Sequence, residues 1–180
     1  GRISADEIKK QFEDNGLTVQ FYQPQRFSDP LWYLQSAFER EFGCLAGASA
    51  YLTPANNQGL APHYDHVCVF VLQTEGSKTW RLYQPSDEIA LAEEHSPDLP
   101  RDQLGQPQQI VLQPGDVLYM PRGTVHEAVA SSASHHSTHV TISVYHKHNY
   151  KNFVASMMPL LLDKAFAEVR ILLLVVDRPV

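Results

Sequence analysis

The pattern of apolar and polar positions divides the chain into short elements. Residues 5–14 carry Ile8 and Phe12 at four-residue spacing among Lys9, Lys10 and Glu13, which predicts an amphipathic helix stopped by Asn15-Gly16. Residues 17–22 alternate as a strand. Ser28 and Pro30 are suited to open a second helix, with Leu31, Leu34, Phe38 and Phe42 as its apolar stripe, and residues 43–47 read as a loop. Strands are expected at 49–53, 67–73 and 78–83, the last two joined through Thr74-Glu75-Gly76-Ser77 as a hairpin, then at 109–112, 117–120 and 124–130. Residues 85–107 are polar and proline-containing, a surface loop long enough to suggest binding or mobility. Residues 131–134 form a loop tip. Residues 139–145 alternate with His139, Thr141, Ser143 and Tyr145 on one face and Val140, Ile142 and Val144 on the other, a strand whose polar face either meets solvent or lines a polar pocket. Residues 152–169 read as an apolar helix. Many short strands between turns, with no repeat and no linker, predict a mainly β fold, a double-stranded β-helix or jelly roll flanked by N-terminal and C-terminal helices.

The 180 residues suffice for one domain with a sizeable core. A net charge of −6 argues against a surface that tracks nucleic-acid phosphates and suits a basic polypeptide. Cys44 and Cys68 are too few for a disulfide framework and point to a reducing compartment. Residues 171–176 are strongly apolar but too short to cross a bilayer, so no membrane partner is expected. With no signal peptide and no initiator Met, the chain reads as a fragment or excised domain.

Two stretches carry candidate chemistry. In Pro62-His63-Tyr64-Asp65 a His and an Asp stand two apart, and on an extended segment both point to one side. Some sixty residues on, Gly115-Asp116 through His126 follows G-x5-P-x-G-x2-H: a turn, a short apolar strand, a proline stop, a glycine reversal, then a His opening the next strand. His63, Asp65 and His126 together make two imidazoles and one carboxylate, the facial triad of non-haem Fe(II) oxygenases. His135, His136 and His139 are rival third ligands, but His126 alone sits in that frame, and His135 and His136 read as exposed loop.

These stretches, with Tyr51-Leu52-Thr53-Pro54, Gln58-Gly59, Phe70-Val71-Leu72-Gln73, Glu75-Gly76 and Trp80-Arg81-Leu82-Tyr83, resemble the cupin fold in its JmjC form. The surrounding residues are similar to the ribosomal oxygenases, also called bifunctional lysine-specific demethylase and histidyl-hydroxylase. The resemblance runs from about residue 15 to about residue 162. It implies Fe(II) held by His63, Asp65 and His126, with 2-oxoglutarate and O2 as co-substrates, the distal carboxylate of 2-oxoglutarate on Lys78 with help from Thr141, and substrate contacts from Gln20, Gln23, Ser49, Tyr51, His139 and Ser143. Tyr51 and Ser143 match positions that hydrogen-bond a substrate imidazole. The implied activity is hydroxylation of a histidine in a ribosomal protein. Demethylation of a histone lysine by the same iron is the alternative, and no aromatic cage for a methylated ammonium is evident. A cupin that only binds, and a metal-dependent isomerase or sugar-binding cupin using Zn or Mn, are further alternatives; cupins of the last class more often use three His and a Glu. The resemblance also implies residues 1–148 as the catalytic domain, residues 149–180 as the start of a truncated helical dimerisation region, a homodimer, and a nuclear or nucleolar location. The family has Asn where Ser49 stands and Asp where His66 stands. His66 is expected to face away from the metal, Cys68 to be a packed core thiol, and residues 170–176 do not follow the family.

Overall fold

The computed structural model describes residues 3–84, 89–131 and 135–168. In chain order the elements are α1 (Ala5–Glu13), β1 (Val19–Tyr22), α2 (Asp29–Phe42), β2 (Cys44–Thr53), β3 (Cys68–Glu75), β4 (Lys78–Tyr83), β5 (Gln108–Leu112), β6 (Val117–Met120), β7 (Val125–Ala130), β8 (Ser137–Asn149) and α3 (Tyr150–Glu168). Two antiparallel sheets face each other. The larger has the order β1-β2-β8-β3-β6 and the smaller β5-β4-β7. Residue His63 bridges His126 on the free side of β7, so the segment around it serves as a short fourth strand of the small sheet. From β2 the chain alternates between sheets except at the β4–β5 step, which is the winding of a double-stranded β-helix.

Strand alternation divides the apolar residues into two cores. Between the sheets lie Val67, Val69, Val71, Trp80, Leu112, Met120 and Ala128, with Leu118 and Tyr145 packed on them. On the outer face of the large sheet, Ala48, Val140 and Ile142 meet Leu31, Leu34 and Phe38 of α2. β8 serves both sides: its Val140, Ile142 and Val144 are buried outward, while its polar residues point between the sheets. Each fully buried aliphatic side chain contributes roughly 1.5–3 kcal/mol.

The helices follow their sequence signals with two corrections. Ser28 occupies the N-cap of α2, but its hydroxyl makes no capping bond. Residues 43–47 are not a loop. Gly43, at φ 63°, closes α2, and β2 begins at once with Cys44. The run Cys-Leu-Ala-Gly-Ala has too little contrast between faces to announce a strand, and its small Ala46 and Ala48 are what let α2 lie close. Cys44 is buried, whereas Cys68 is only half-buried against Tyr119, so it is not the fully packed core thiol expected. The described part of the 85–107 segment is irregular, with a 3-10 turn at Arg101–Gln103. The tip at 132–134 and the apolar run at 170–176 lie outside the described residues. Among the described residues no helix is long and apolar enough to cross a membrane.

Candidate metal centre

His63 and His126 face each other across an antiparallel pair. The His63 N–H donates to the His126 carbonyl at 3.1 Å and the His126 N–H to the His63 carbonyl at 2.8 Å. This doubly bonded pair sets the two rings with centroids 4.5 Å apart. Asp65, two residues on, turns its carboxylate toward the same point, with Oδ2 3.9 Å from His126 Nε2. One ligand atom from each of the three lies within 4.8 Å of the others.

The tautomer of both rings follows from their neighbours. His63 Nδ1 lies 2.7 Å from the Ala61 carbonyl, and His126 Nδ1 lies 2.9 Å from the Thr124 carbonyl. A carbonyl only accepts, so each Nδ1 carries the proton and each Nε2 presents a lone pair. Burial, and then the neighbouring His63, holds His126 below the usual imidazole range, which keeps that lone pair free at neutral pH. Two Nε2 lone pairs and a carboxylate oxygen on one side of a point are the donor set of a mononuclear non-haem iron site. Gly123 completes the local frame. Its N–H donates to the Asp65 carbonyl at 2.8 Å, its φ is 82°, and a Cβ there would run into the Ile89 carbonyl.

His63, Asp65 and His126 line a cavity of about 360 Å³ between the sheets. At its floor Lys78 is 3% exposed. Its Nζ donates to Thr53 Oγ1 at 2.9 Å and stands 3.5 Å from His139 Nδ1, and no carboxylate pairs with it among the described residues. Burial pulls its pKa down to about 8. Burial, with the charge of Lys78, holds His139 well below the ordinary imidazole value, so its Nδ1 is an acceptor there. Trp80 walls this region, edge-on to His139 with centroids 5.5 Å apart.

Toward the mouth, Gln20 Nε2 donates to the Tyr51 hydroxyl at 2.8 Å, and Tyr51 stacks flat on His139 with centroids 4.8 Å apart. Burial and then the Asp65 charge push the Tyr51 phenol up to about 12, so it remains a neutral hydrogen-bonding group.

The structure thus gathers His63, Asp65, His126, Lys78, Thr141, Gln20, Tyr51 and His139 around one cavity. His139 sits at the floor beside Lys78 rather than at the mouth. Ser49 and Ser143 stand in register beside Thr141 and Gly47 on the inward side of the large sheet, outside the cavity lining. Gln23 also lies outside it, in a left-handed turn at φ 56°, its N–H bonded to the Ala48 carbonyl. His66 is absent from the lining and approaches His95, while His135 and His136 are exposed.

Three participants escaped sequence reasoning. Thr53 holds Lys78, Ser96 bonds the backbone between the ligands, and Glu127 lies buried next to His126. Only Glu127 left a signal, as a lone acid inside the run Val125-His126-Glu127-Ala128-Val129-Ala130.

A family profile described as JmjC domain matches residues 20–153. The chain belongs to the JmjC domain family. Among curated JmjC relatives, ribosomal oxygenase 2 of Bos taurus is 46% identical over 171 residues, covering 94% of this chain and 36% of its own length. The bifunctional lysine-specific demethylase and histidyl-hydroxylase NO66 of Drosophila willistoni is 47% identical over 158 residues, covering 86% of this chain and 20% of its own length. The chain therefore spans about a third or less of the length of these JmjC relatives. A solved structure of E. coli ycfD superposes with a TM-score of 0.65 at 18% identity, covering 92% of this chain and 42% of that one. A further structure of that ribosomal oxygenase, in complex with cobalt and 2-oxoglutarate, has a TM-score of 0.58 at 17% identity over 82% of this chain and 37% of that one. At this identity the likeness establishes the fold alone.

Proposed function

We propose that this chain carries the centre of an Fe(II)- and 2-oxoglutarate-dependent oxygenase that hydroxylates a histidine side chain of a ribosomal protein. The observation that carries the reading is the pairing, in one cavity, of a three-donor site with a buried Lys78 that no carboxylate meets among the described residues. His63, Asp65 and His126 would hold the metal from one side. Lys78, with Thr141 near it, would receive the far carboxylate of a dicarboxylic 2-oxo acid whose other end reaches the metal. When bound, iron supplies oxidative chemistry that couples decarboxylation of the 2-oxo acid by O2 to hydroxylation of a C–H bond.

The chain's own groups do the rest. The Ala61 and Thr124 carbonyls fix the tautomers of the ligands. Lys78 retains its proton by pairing with the incoming carboxylate. Trp80 and the inter-sheet core exclude water from the floor. Gln20, Gln23, Tyr51, Ser49 and Ser143 would orient the substrate, with Tyr51 and Ser143 bonding its imidazole. The names of the relatives support a ribosomal protein as substrate, and with it a nuclear, nucleolar setting linked to ribosome biogenesis. A histone tail, with a role in chromatin, is the second substrate to test. The negative net charge suits either basic partner. Residues 149–180 would begin a dimerisation region, and α3 presents Phe153, Leu160, Leu161 and Phe166 to solvent.

The test is aerobic turnover with Fe(II), 2-oxoglutarate and ribosomal-protein peptides, read by mass spectrometry. A gain of one oxygen on a histidine, with succinate in equal amount and neither in His126→Ala, is the expected result. Succinate formation only with methyl-lysine peptides, with formaldehyde released, would replace the hydroxylase by the demethylase. No cofactor binding would leave a cupin that binds without catalysis.

A further inference from the structure

We propose that the loop at 93–104 is a working part of the metal centre. In it Ser96, and the ion pair of Arg101 with Glu127, are positioning groups that hold the ligand segment 62–65 against β7. The inference rests on the metal-site reading above and adds residues that no ligand motif contains.

The ligand segment has little support of its own. Within it, His63 alone pairs with β7, through the two bonds to His126. On an extended segment the backbone groups of the flanking residues point the opposite way. Here they meet the loop. The Tyr64 N–H donates to Ser96 Oγ at 2.8 Å, and the Ser96 N–H donates back to the Tyr64 carbonyl at 3.0 Å. The Leu99 N–H donates to the Pro62 carbonyl at 2.7 Å. One buried serine thus engages both backbone groups of the residue that separates ligand His63 from ligand Asp65. The loop is the outer rail of the segment, and β7 the inner one.

The loop is fastened in turn beside the third ligand. Arg101 Nε donates to Glu127 Oε2 at 2.9 Å, and its Nη2 reaches the same oxygen. Glu127 is 1% exposed and also accepts from the Tyr83 hydroxyl at 2.7 Å and from Gln58 Nε2 at 2.9 Å. Gln58 Nε2 donates as well to the Leu60 carbonyl at 2.8 Å, on the approach to His63. One carboxylate adjacent to ligand His126 therefore ties the loop and the lead-in to the other two ligands. Releasing Arg101 or Ser96 would leave the three donors in the chain but no longer held to one point.

The experiment uses the full 180-residue chain, metal-free, titrated with Co(II) alone and followed by visible absorption. Amide hydrogen exchange across 62–65 is measured in the same metal-free samples. Ser96→Ala and Arg101→Gln are expected to weaken Co(II) by about 10–100-fold, the usual cost of losing support behind a ligand. They are also expected to speed exchange at Tyr64 with the circular dichroism spectrum unchanged, and Ser96→Thr restores both. If Ser96→Ala fails to fold, Arg101→Gln decides, because that side chain is 53% exposed. Wild-type Co(II) affinity and Tyr64 protection in a folded variant overturn the proposal alone. Absence of Co(II) binding in the unaltered chain, matching His126→Ala, overturns the metal-site reading and this proposal with it.

Discussion

At the scale of single residues, the cavity floor is set by Lys78. Its pKa, about 8, lies below the ordinary lysine value because burial penalises the ammonium. Below pH 8 the group is charged in folded and unfolded chains alike, and the folded chain bears that cost; as pH rises from about 8 toward 10.5 the cost is relieved. A carboxylate ligand needs the charged form. We expect 2-oxoglutarate affinity, measured calorimetrically on the metal-loaded protein, to fall as pH rises through about 8. Lys78→Met should abolish that dependence, weaken 2-oxoglutarate by about 10–100-fold, and raise the ligand-free melting temperature at pH 7. Glu127 behaves oppositely. Burial alone would raise its carboxyl, but hydrogen bonds from Arg101 and Tyr83 outweigh this and leave it below the usual range. Its contribution to stability is present at neutral pH and is lost as pH falls through that lowered value. The convergence of His63, Asp65 and His126 on one point was legible in the sequence because their spacing encodes their geometry. The place of Lys78 on the cavity was legible by resemblance alone: 74–77 reads as a hairpin turn with a solvated lysine after it, but it carries the chain from one sheet to the other and so buries Lys78. Ser96 and Thr53 left no trace, because what they bond is decided by distant segments meeting.

At the scale of elements, β8 shows how one strand supports two tasks. Ile142 points outward and is 0% exposed against the α2 side, while Thr141 lines the cavity. Ile142→Ala should cost about 2–5 kcal/mol in denaturant melts yet leave Co(II) affinity intact. Thr141→Val should change stability little and weaken 2-oxoglutarate. Equal loss of metal binding in both would contradict this division of faces. The Pro121–Gly123 turn couples the same way to the centre. Gly123→Ala meets both a left-handed φ of 82° and the Ile89 carbonyl, so it should lower stability and loosen the bond to Asp65 together. Alternation made β8 readable along the sequence, and the i, i+3, i+4 stripe did so for α2. The start of β2 was hidden by small residues. The long loop's role was hidden because its pairing partner, residues 62–64, is too short to register as a strand.

At the scale of the whole molecule, the two sheets form one barrel with α2 against its outer face, and α3 approaches it chiefly through β8. With Tyr150, Phe153, Leu160 and Leu161 turned outward, ending the chain after Asn149 should remove little barrel stability and leave the Co(II) affinity unchanged, as calorimetry would register. A fall in metal affinity on that truncation would place α3 in the site's support. The order in which the strands pair has a consequence for the birth of the protein. β8, the last strand among the described residues, is the central plank of the large sheet, hydrogen-bonded to both β2 and β3. A ribosome delivers β2 early and must then make β3 through β7 before β8 appears. Until residues 137–149 emerge, β2 lacks its longest partner, α2 has only part of its seat, and His63 and Asp65 wait for His126 on a strand not yet enclosed. Such long-range closure is slow and leaves apolar strand faces uncovered while it is pending. The nascent chain should therefore remain protease-sensitive, and depend most on chaperones, up to the synthesis of β8, and gain protection and metal binding together in one late step.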